Sequence, residues 1–363
     1  MDNYSMMLPS YSVGENIYEK IREICPNYGK KVVIIGGKTA LCVAEDKIKK
    51  AIGDSLEITA TLWYGGECSY ENAQMLTENE KFKEADMVFA VGGGKALDTS
   101  KLAANMAGKK VFTFPTIASN CACCTTVSIM YRQDGTFIKP HFFEEPPVHA
   151  FINTKIMVDA PERFIWAGMG DTMAKYYEST VSARGDDLDN YTMFGVTASK
   201  MCSEPILKMG EAAMADNKKH TLSRAFRETV LAITASTAIV SIFLTRDHTP
   251  DYNSALAHAI FYGLTKYEKI EKNHLHGEVV AFGTLILLIC DNQLDEFERV
   301  YKFNKSVKLP VSLSDIEISE EEMKAILEDV TKLSDLRHYP YEVTVEKLEE
   351  AFEYLKKYNN TTL

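Results

Sequence analysis

DMVFAVGGGKALDTSK, residues 86–101, runs from an apolar stretch through three glycines into a helical pattern. A buried strand that ends in glycines and opens a helix makes an anion site. Glycine lets the backbone approach a diphosphate closely, and the first N–H groups of the helix point at it. Gly92, Gly93, Gly94 and Lys95 are therefore a candidate phosphate cradle, and Asp98 and Thr99 are placed to cap the helix. The stretch matches neither G-x-G-x-x-G nor the P-loop pattern. Its plain alternative is a tight strand-to-helix turn.

Outward from this stretch the same rhythm repeats. KVVIIGG (31–37), EITATLWYGG (57–66), KKVFTFPT (109–116) and VHAFINT (148–154) read as strands, with amphipathic segments such as AEDKIKKAIG (44–53) between the first of them. Continuous apolar strands alternating with helices imply a parallel sheet covered on both faces. TTVSIMYRQDGTFIKP (125–140) reads as a hairpin turning at Asp134 and Gly135. After Pro161, suited to a first helical position, nothing reads as a strand. An α/β domain over 1–160 and an all-helical domain over 161–363 are expected, and 363 residues suit two domains.

The composition narrows the function classes. A net charge of -11 repels phosphate backbones and anionic lipids, so neither nucleic acid nor membrane is expected as a partner. The N-terminus lacks the basic and apolar regions of a secretory signal. The longest apolar stretch, residues 279–290, is too short to span a bilayer. Eight cysteines without secretion read as reduced thiols in the cytoplasm.

PTIASNCACCTTVSIMY (115–131) follows a strand at the carboxyl edge of the sheet, where open α/β sheets bind ligands. Thr116, Ser119, Thr125 and Thr126 can donate there to phosphates or to an amide. The three cysteines Cys121, Cys123 and Cys124 lack the further soft ligands of a zinc site and read as small pocket-lining residues. His258 and His276 lie in apolar helical sequence, where a neutral, metal-bound imidazole is tolerated and a charged one is costly. Asp171, after Gly168-Met169-Gly170, reads either as a ligand or as an N-cap. These three residues share no helical spacing, so spacing alone does not make them a site. His274 is expected at a helix entrance, facing solvent or substrate. His141, His149 and His248 are expected on surface loops.

Taken in order, GGK after the first strand, YGGECS (64–69), VGGGKALDTSK (91–101), PTIAS (115–119), GMGDTMAKYYE (168–178), AHAIFYGL (257–264) and HGEVVAFG (276–283) resemble the glycerol dehydrogenase branch of the iron-containing (group III) alcohol dehydrogenases. The resemblance covers about residues 10–290. It implies an α/β dinucleotide-binding domain and a helical metal-binding domain (a dehydroquinate synthase-like fold), with the active site in the cleft between them. Gly92, Gly93, Gly94 and Lys95 would hold the pyrophosphate of NAD or NADP, with Asp98 at the helix start. Thr116, Ser119, Thr125, Val127 and Tyr131 fall where the family contacts the cofactor. Asp171, His258 and His276 match the ligands of one divalent metal; zinc suits such ligation, and ferrous iron is used in the wider family. The implied activity is hydride transfer between nicotinamide and a small polyol or hydroxy compound. Metal-bound water, a ribose hydroxyl and His274 are the candidates for proton release, and a homo-oligomer is implied.

Cys121 departs from the family. Glycerol dehydrogenases carry an acidic residue there that helps hold the polyol. Loss of that acceptor weakens the case for glycerol and suits an anionic substrate, as in 2-hydroxycarboxylate dehydrogenases (2-oxoacid reductases). Two readings of another class are a dehydroquinate synthase-like lyase, which typically has Glu in place of Asp171, and a catalytically silent nucleotide-binding protein. No acid follows the first strand to repel a 2′-phosphate, and Lys38 stands nearby, so the choice between NAD and NADP stays open.

Overall fold

The computed structural model describes residues 5–245 and 252–361. His248 lies outside them. The chain forms two compact units: Met1–Pro161 with His220–Leu222, and Glu162–Lys219 with Ser223–Leu363. The short return at 220–222 carries no sequence signal.

The first unit is built on a six-stranded parallel sheet in the order β1-β8-β5-β4-β2-β3. Its strands are β1 (Tyr11–Gly14), β2 (Lys31–Gly36), β3 (Glu57–Trp63), β4 (Met87–Gly92), β5 (Lys110–Pro115) and β8 (His149–Asn153). Successive side chains of a strand face opposite ways, so both faces must be covered. Val32, Ile34, Phe89, Phe112, Phe114 and Phe151 pack on one side with helix α1 (Lys38–Ile52). Val33, Ile35 and Val88 pack on the other with Leu102 and Ala103 of helix α2 (Gly94–Met106). β6 (Val127–Tyr131) and β7 (Phe137–Phe142) form the expected antiparallel hairpin. Gly135 takes φ +88° in its turn, a value that favours glycine.

β1 is not foreseen from its sequence, YSVG. This short edge strand is half polar, and the chain gains it by pairing with β8. His149 tightens that pairing. Its Nδ1 lies 2.8 Å from Ser10 Oγ and its Nε2 2.9 Å from Ser12 Oγ. The expectation of a surface loop at His149 is therefore corrected: the residue is buried in β8, and burial pushes its pKa below the usual imidazole value. His141 is likewise in a strand, half-buried in β7, with Nδ1 3.4 Å from Tyr70 Oη.

The second unit is helical, with no strand among the described residues. Three of its helices matter for function: α3 (Glu162–Ser182), α4 (Leu256–Leu264) and α5 (His276–Cys290). α3 runs unbroken through Gly168, Met169 and Gly170, so Asp171 sits in mid-helix and does not cap. Pro161 stands one residue before the helix, outside its first position. The helical stretch Arg224–Phe243 is long and apolar enough to cross a membrane, but 67% of its most apolar window is packed inside the unit, as in a core helix. It carries a π turn at Ala232–Ser236, where Thr237 Oγ1 donates to Ala232 O at 2.9 Å.

Candidate functional site

Each of the two units carries one candidate site. In the first, β2 lies between β3 and β4, so the chain leaves β2 toward one side and returns on the other. The carboxyl ends of β2 and β4 therefore flank a topological switch point, the crevice where open α/β sheets bind ligands. Both strands end there in glycine. Gly37 N donates to Val91 O at 3.4 Å, which holds the two ends together. Gly92 has φ +147°, and a Cβ on it would lie 2.9 Å from the Ala96 Cβ. α2 then starts with Gly93 at its N-cap and no side chain bonded to the free N–H groups of its first turn. Those donors remain for an anion.

A Cβ at Gly93 would fall 2.6 Å from Ile117 Cδ1, and one at Gly94 would fall 2.6 Å from Asn120 Nδ2. The glycines thus let the loop after β5 lie against the helix start. Asn120 Oδ1 in turn accepts from Ala122 N at 3.1 Å and shapes that loop. For Gly94→Ala, a roughly tenfold rise in the dinucleotide KM is expected, equivalent to about 1.4 kcal/mol of binding. The melting temperature should move little, because a flexible amide can yield. An unchanged KM would count against the cradle.

The predicted cofactor contacts divide. Lys95 Nζ pairs with Glu67 Oε2 at 2.6 Å and lies 5.2 Å from the centre of the Tyr131 ring. Thr116 is buried, with its N–H donating to Gly92 O at 3.1 Å. Ser119, Val127 and Tyr131 are half-buried. The capping role expected of Asp98 and Thr99 is corrected. Asp98 is buried one turn into α2; its Oδ2 accepts from Ile129 N at 3.1 Å and its Oδ1 meets Lys101 Nζ at 2.8 Å. It fastens the hairpin to the helix. Thr99 Oγ1 donates back to Lys95 O at 2.8 Å.

Lys101 escaped the sequence reading. It is 2% exposed, and its ammonium donates to Ala122 O at 2.9 Å, Val127 O at 2.6 Å and Thr125 Oγ1 at 3.4 Å. A buried ammonium needs an anion and acceptors around it, and Asp98 with these loop atoms supplies them. The signal was available as a lysine three residues after an aspartate on an otherwise small and apolar helix face. Thr125 is consequently committed to the protein's interior. Cys121 is half-buried and opens a turn in which Cys124 N donates to its carbonyl at 2.9 Å. Cys123 and Cys124 are buried, and contact with Cys123 together with burial pushes the Cys124 thiol well up, so it is poorly reactive.

In the second unit, the three residues that spacing left unconnected come together. Asp171 Oδ1 lies 3.2 Å from His276 Nε2 and 3.5 Å from His258 Nε2. One donor atom from each lies within 4.8 Å of the others. Glycines make this convergence possible. A Cβ on Gly277 would sit 2.0 Å from Ala167 O, and one on Gly170 would sit 2.2 Å from Gly277 O. α3 and α5 are therefore in backbone contact beside Asp171 and His276. A Cβ on Gly283 would sit 2.5 Å from Ala257 O, which brings α4 and His258 equally close.

Burial opposes ionisation of Asp171, but His276 and His258 outweigh it and hold the carboxyl well below the usual range. Burial also disfavours a charged His258, yet Glu178 and Asp171 hold its pKa up to about 10 without a metal. One carboxylate and two imidazoles at this separation fit a divalent cation with coordination positions to spare. His274 stands at the helix entrance as expected but does not face solvent. Its side chain is 7% exposed and its Nδ1 lies 2.9 Å from Glu278 Oε1, while Glu278 Oε2 accepts from Leu275 N at 3.0 Å. His274 thus braces the start of α5, directly before His276.

The family model for iron-containing alcohol dehydrogenases matches residues 9–152. A glycerol dehydrogenase of Thermotoga maritima is 32% identical over 83% of this chain and 84% of its own. Hydroxycarboxylate dehydrogenase A of Escherichia coli is 29% identical over 90% of each chain. The crystal structure of a Schizosaccharomyces pombe glycerol dehydrogenase superposes with a TM-score of 0.85 at 22% identity, covering 100% of this chain and 93% of that one. The chain belongs to the iron-containing alcohol dehydrogenase family, as a glycerol dehydrogenase-like enzyme that acts on alcohols.

Proposed function

We propose that this enzyme moves hydride between NAD or NADP and a small polyol or hydroxy compound, with one divalent metal held by Asp171, His258 and His276. The convergence of those three donors within 4.8 Å carries the reading. When bound, the cation supplies Lewis acidity toward the reacting oxygen, and the nicotinamide supplies the hydride acceptor. The chain's own residues do the rest. The Gly92, Gly93 and Gly94 turn and the uncapped start of α2 take the pyrophosphate. Lys101 and Asp98 hold the 115–131 loop in shape. Glu278 and His274 fix the start of α5 and so the place of His276. His274 is kept as the candidate proton relay of this chain. Zinc suits the N/O donor set, and ferrous iron fits it too.

Cys121 favours a second substrate class on the same machinery. A neutral thiol at the position of an acid removes an acceptor for vicinal hydroxyls, at a cost of about 1–3 kcal/mol in polyol binding. It also removes a charge that would repel a carboxylate. The 29% identity with a hydroxycarboxylate dehydrogenase points the same way. A cytoplasmic homo-oligomer completes the proposal, with eight thiols that suit a reducing compartment.

The deciding assay uses protein of measured metal content with glycerol, dihydroxyacetone, 2-oxoglutarate and oxaloacetate. Lys38 lies 4.7 Å from the centre of the Trp63 ring and no acid follows β2, so NADH and NADPH are both supplied, with their oxidised forms for the alcohols. Turnover of a polyol or an oxoacid is expected, lost on chelation and regained with zinc or ferrous iron. Turnover that survives complete metal removal would overturn the metal reading; activity on oxoacids alone would settle the second class.

A further inference from the structure

Asp171, Lys175 and Glu178 occupy positions i, i+4 and i+7 of α3, one face of a helix. Only Asp171 belongs to the candidate donor set. The other two grip the segment that brings in His258. Lys175 Nζ donates to the backbone carbonyl of Asn253 and, at 2.9 Å, to its Oδ1, which also accepts from Ser241 Oγ at 3.1 Å. Glu178 is fully buried. Its Oε1 accepts the N–H of Ala255 at 2.8 Å and of His258 at 2.9 Å, and its Oε2 lies 2.6 Å from His258 Nδ1.

We infer that Glu178 is the positioning residue of the cation site: with a cation bound, it would hold His258 with the proton on Nδ1 and leave the Nε2 lone pair, on the side of Asp171 and His276, for the ion. The inference rests on the metal reading above. The bland alternative is a structural ion pair that only packs α3 against α4. The geometry separates the two. α4 has Ala255 at its N-cap and no capping side chain of its own, so Glu178 supplies the cap from another helix. With Oε1 committed to two backbone donors, Oε2 faces Nδ1 and can only accept. An ionised carboxylate has no proton to offer, so Nδ1 must carry one. A neutral imidazole with a proton on Nδ1 has its lone pair on Nε2, and that atom points into the cluster.

Glutamine exposes the role because it is nearly isosteric and cannot satisfy both partners. If its oxygen faces Nδ1, its NH2 group confronts two backbone donors. If its oxygen caps α4, its NH2 group donates to Nδ1 and drives the imidazole proton onto Nε2, which blocks the donor atom.

The test titrates metal-free wild type, E178Q and H258A with Zn2+ against a chromophoric chelator. Removing such an orienting partner typically weakens metal binding roughly 10–100-fold. E178Q should show that loss with an unchanged near-UV circular dichroism spectrum, and its Co2+-loaded form should show an altered d–d spectrum. A packing role would move neither metal readout in a folded variant. On zinc-loaded wild type, long-range proton–nitrogen correlation should place the His258 proton on Nδ1. This last reading needs no variant, so poor folding of E178Q leaves the test decisive. Wild-type zinc affinity in E178Q, or His258 protonated on Nε2, overturns the Glu178 assignment while the metal centre stands. If wild type takes up no zinc, or H258A binds it as tightly as wild type, the metal reading fails and the assignment with it.

Discussion

Asp171→Asn is expected to lower kcat/KM by about a thousand-fold or more and to strip the protein of its stoichiometric metal. The substitution keeps the size and the place in mid-helix, so α3 and its contacts persist. What it removes is the negative charge that faces two imidazole nitrogens at 3.2 and 3.5 Å. Lewis-acid assistance is worth several kcal/mol, and about 4 kcal/mol corresponds to a thousand-fold in rate. The checks are steady-state kinetics on metal-analysed protein and a thermal melt. A folded Asp171→Asn enzyme with the wild-type rate would place the chemistry elsewhere.

Gly277→Ala should damage both stability and rate, although residue 277 is assigned no chemical role. The added Cβ would sit 2.0 Å from the carbonyl oxygen of Ala167 and 2.9 Å from the Asp171 Cβ. A backbone carbonyl inside a helix cannot rotate away, so α3 and α5 must separate. Overpacking of this kind costs about 1–3 kcal/mol and at times more. For a helical unit of this size that is a fall in Tm of roughly 2–12 °C. The same separation moves His276 away from Asp171. A displacement near 1 Å can cost about 100-fold in rate. The expected signature is therefore a joint loss of Tm, metal affinity and kcat/KM. A Tm within a degree of wild type and unaltered kinetics would show that the helices tolerate the extra carbon and that glycine is not what brings the donors together.

Several parts of this enzyme were open to reading from residues alone. KVVIIG and MVFAVG are apolar without alternation because both of their faces are covered, and each is a fully covered central strand in the structure. Asp134-Gly135 marked the hairpin because its turn needs a positive φ. Elsewhere local rules gave way to tertiary partners. Asp98 looked like a cap, but the buried ammonium of Lys101 and the N–H of Ile129 claim it. YSVG carries no strand signal of its own, yet β8 and the two serines on His149 make it a strand.

The chain's periodicity and glycine punctuation determined the α/β order, the helical second half and the glycine turn that is the candidate phosphate cradle, because each depends on neighbours a few residues away. The order of short motifs pointed to the family and, through it, to Asp171, His258 and His276. Their convergence, the glycine contacts that permit it and the carboxylate of Glu178 behind His258 were decided only in three dimensions. Those features depend on how three helices cross, and a crossing is set by surfaces far apart in sequence. Gly170, Gly277 and Gly283 read along the chain as poor helix formers. Across the helices they are the residues whose missing Cβ atoms let the donors meet.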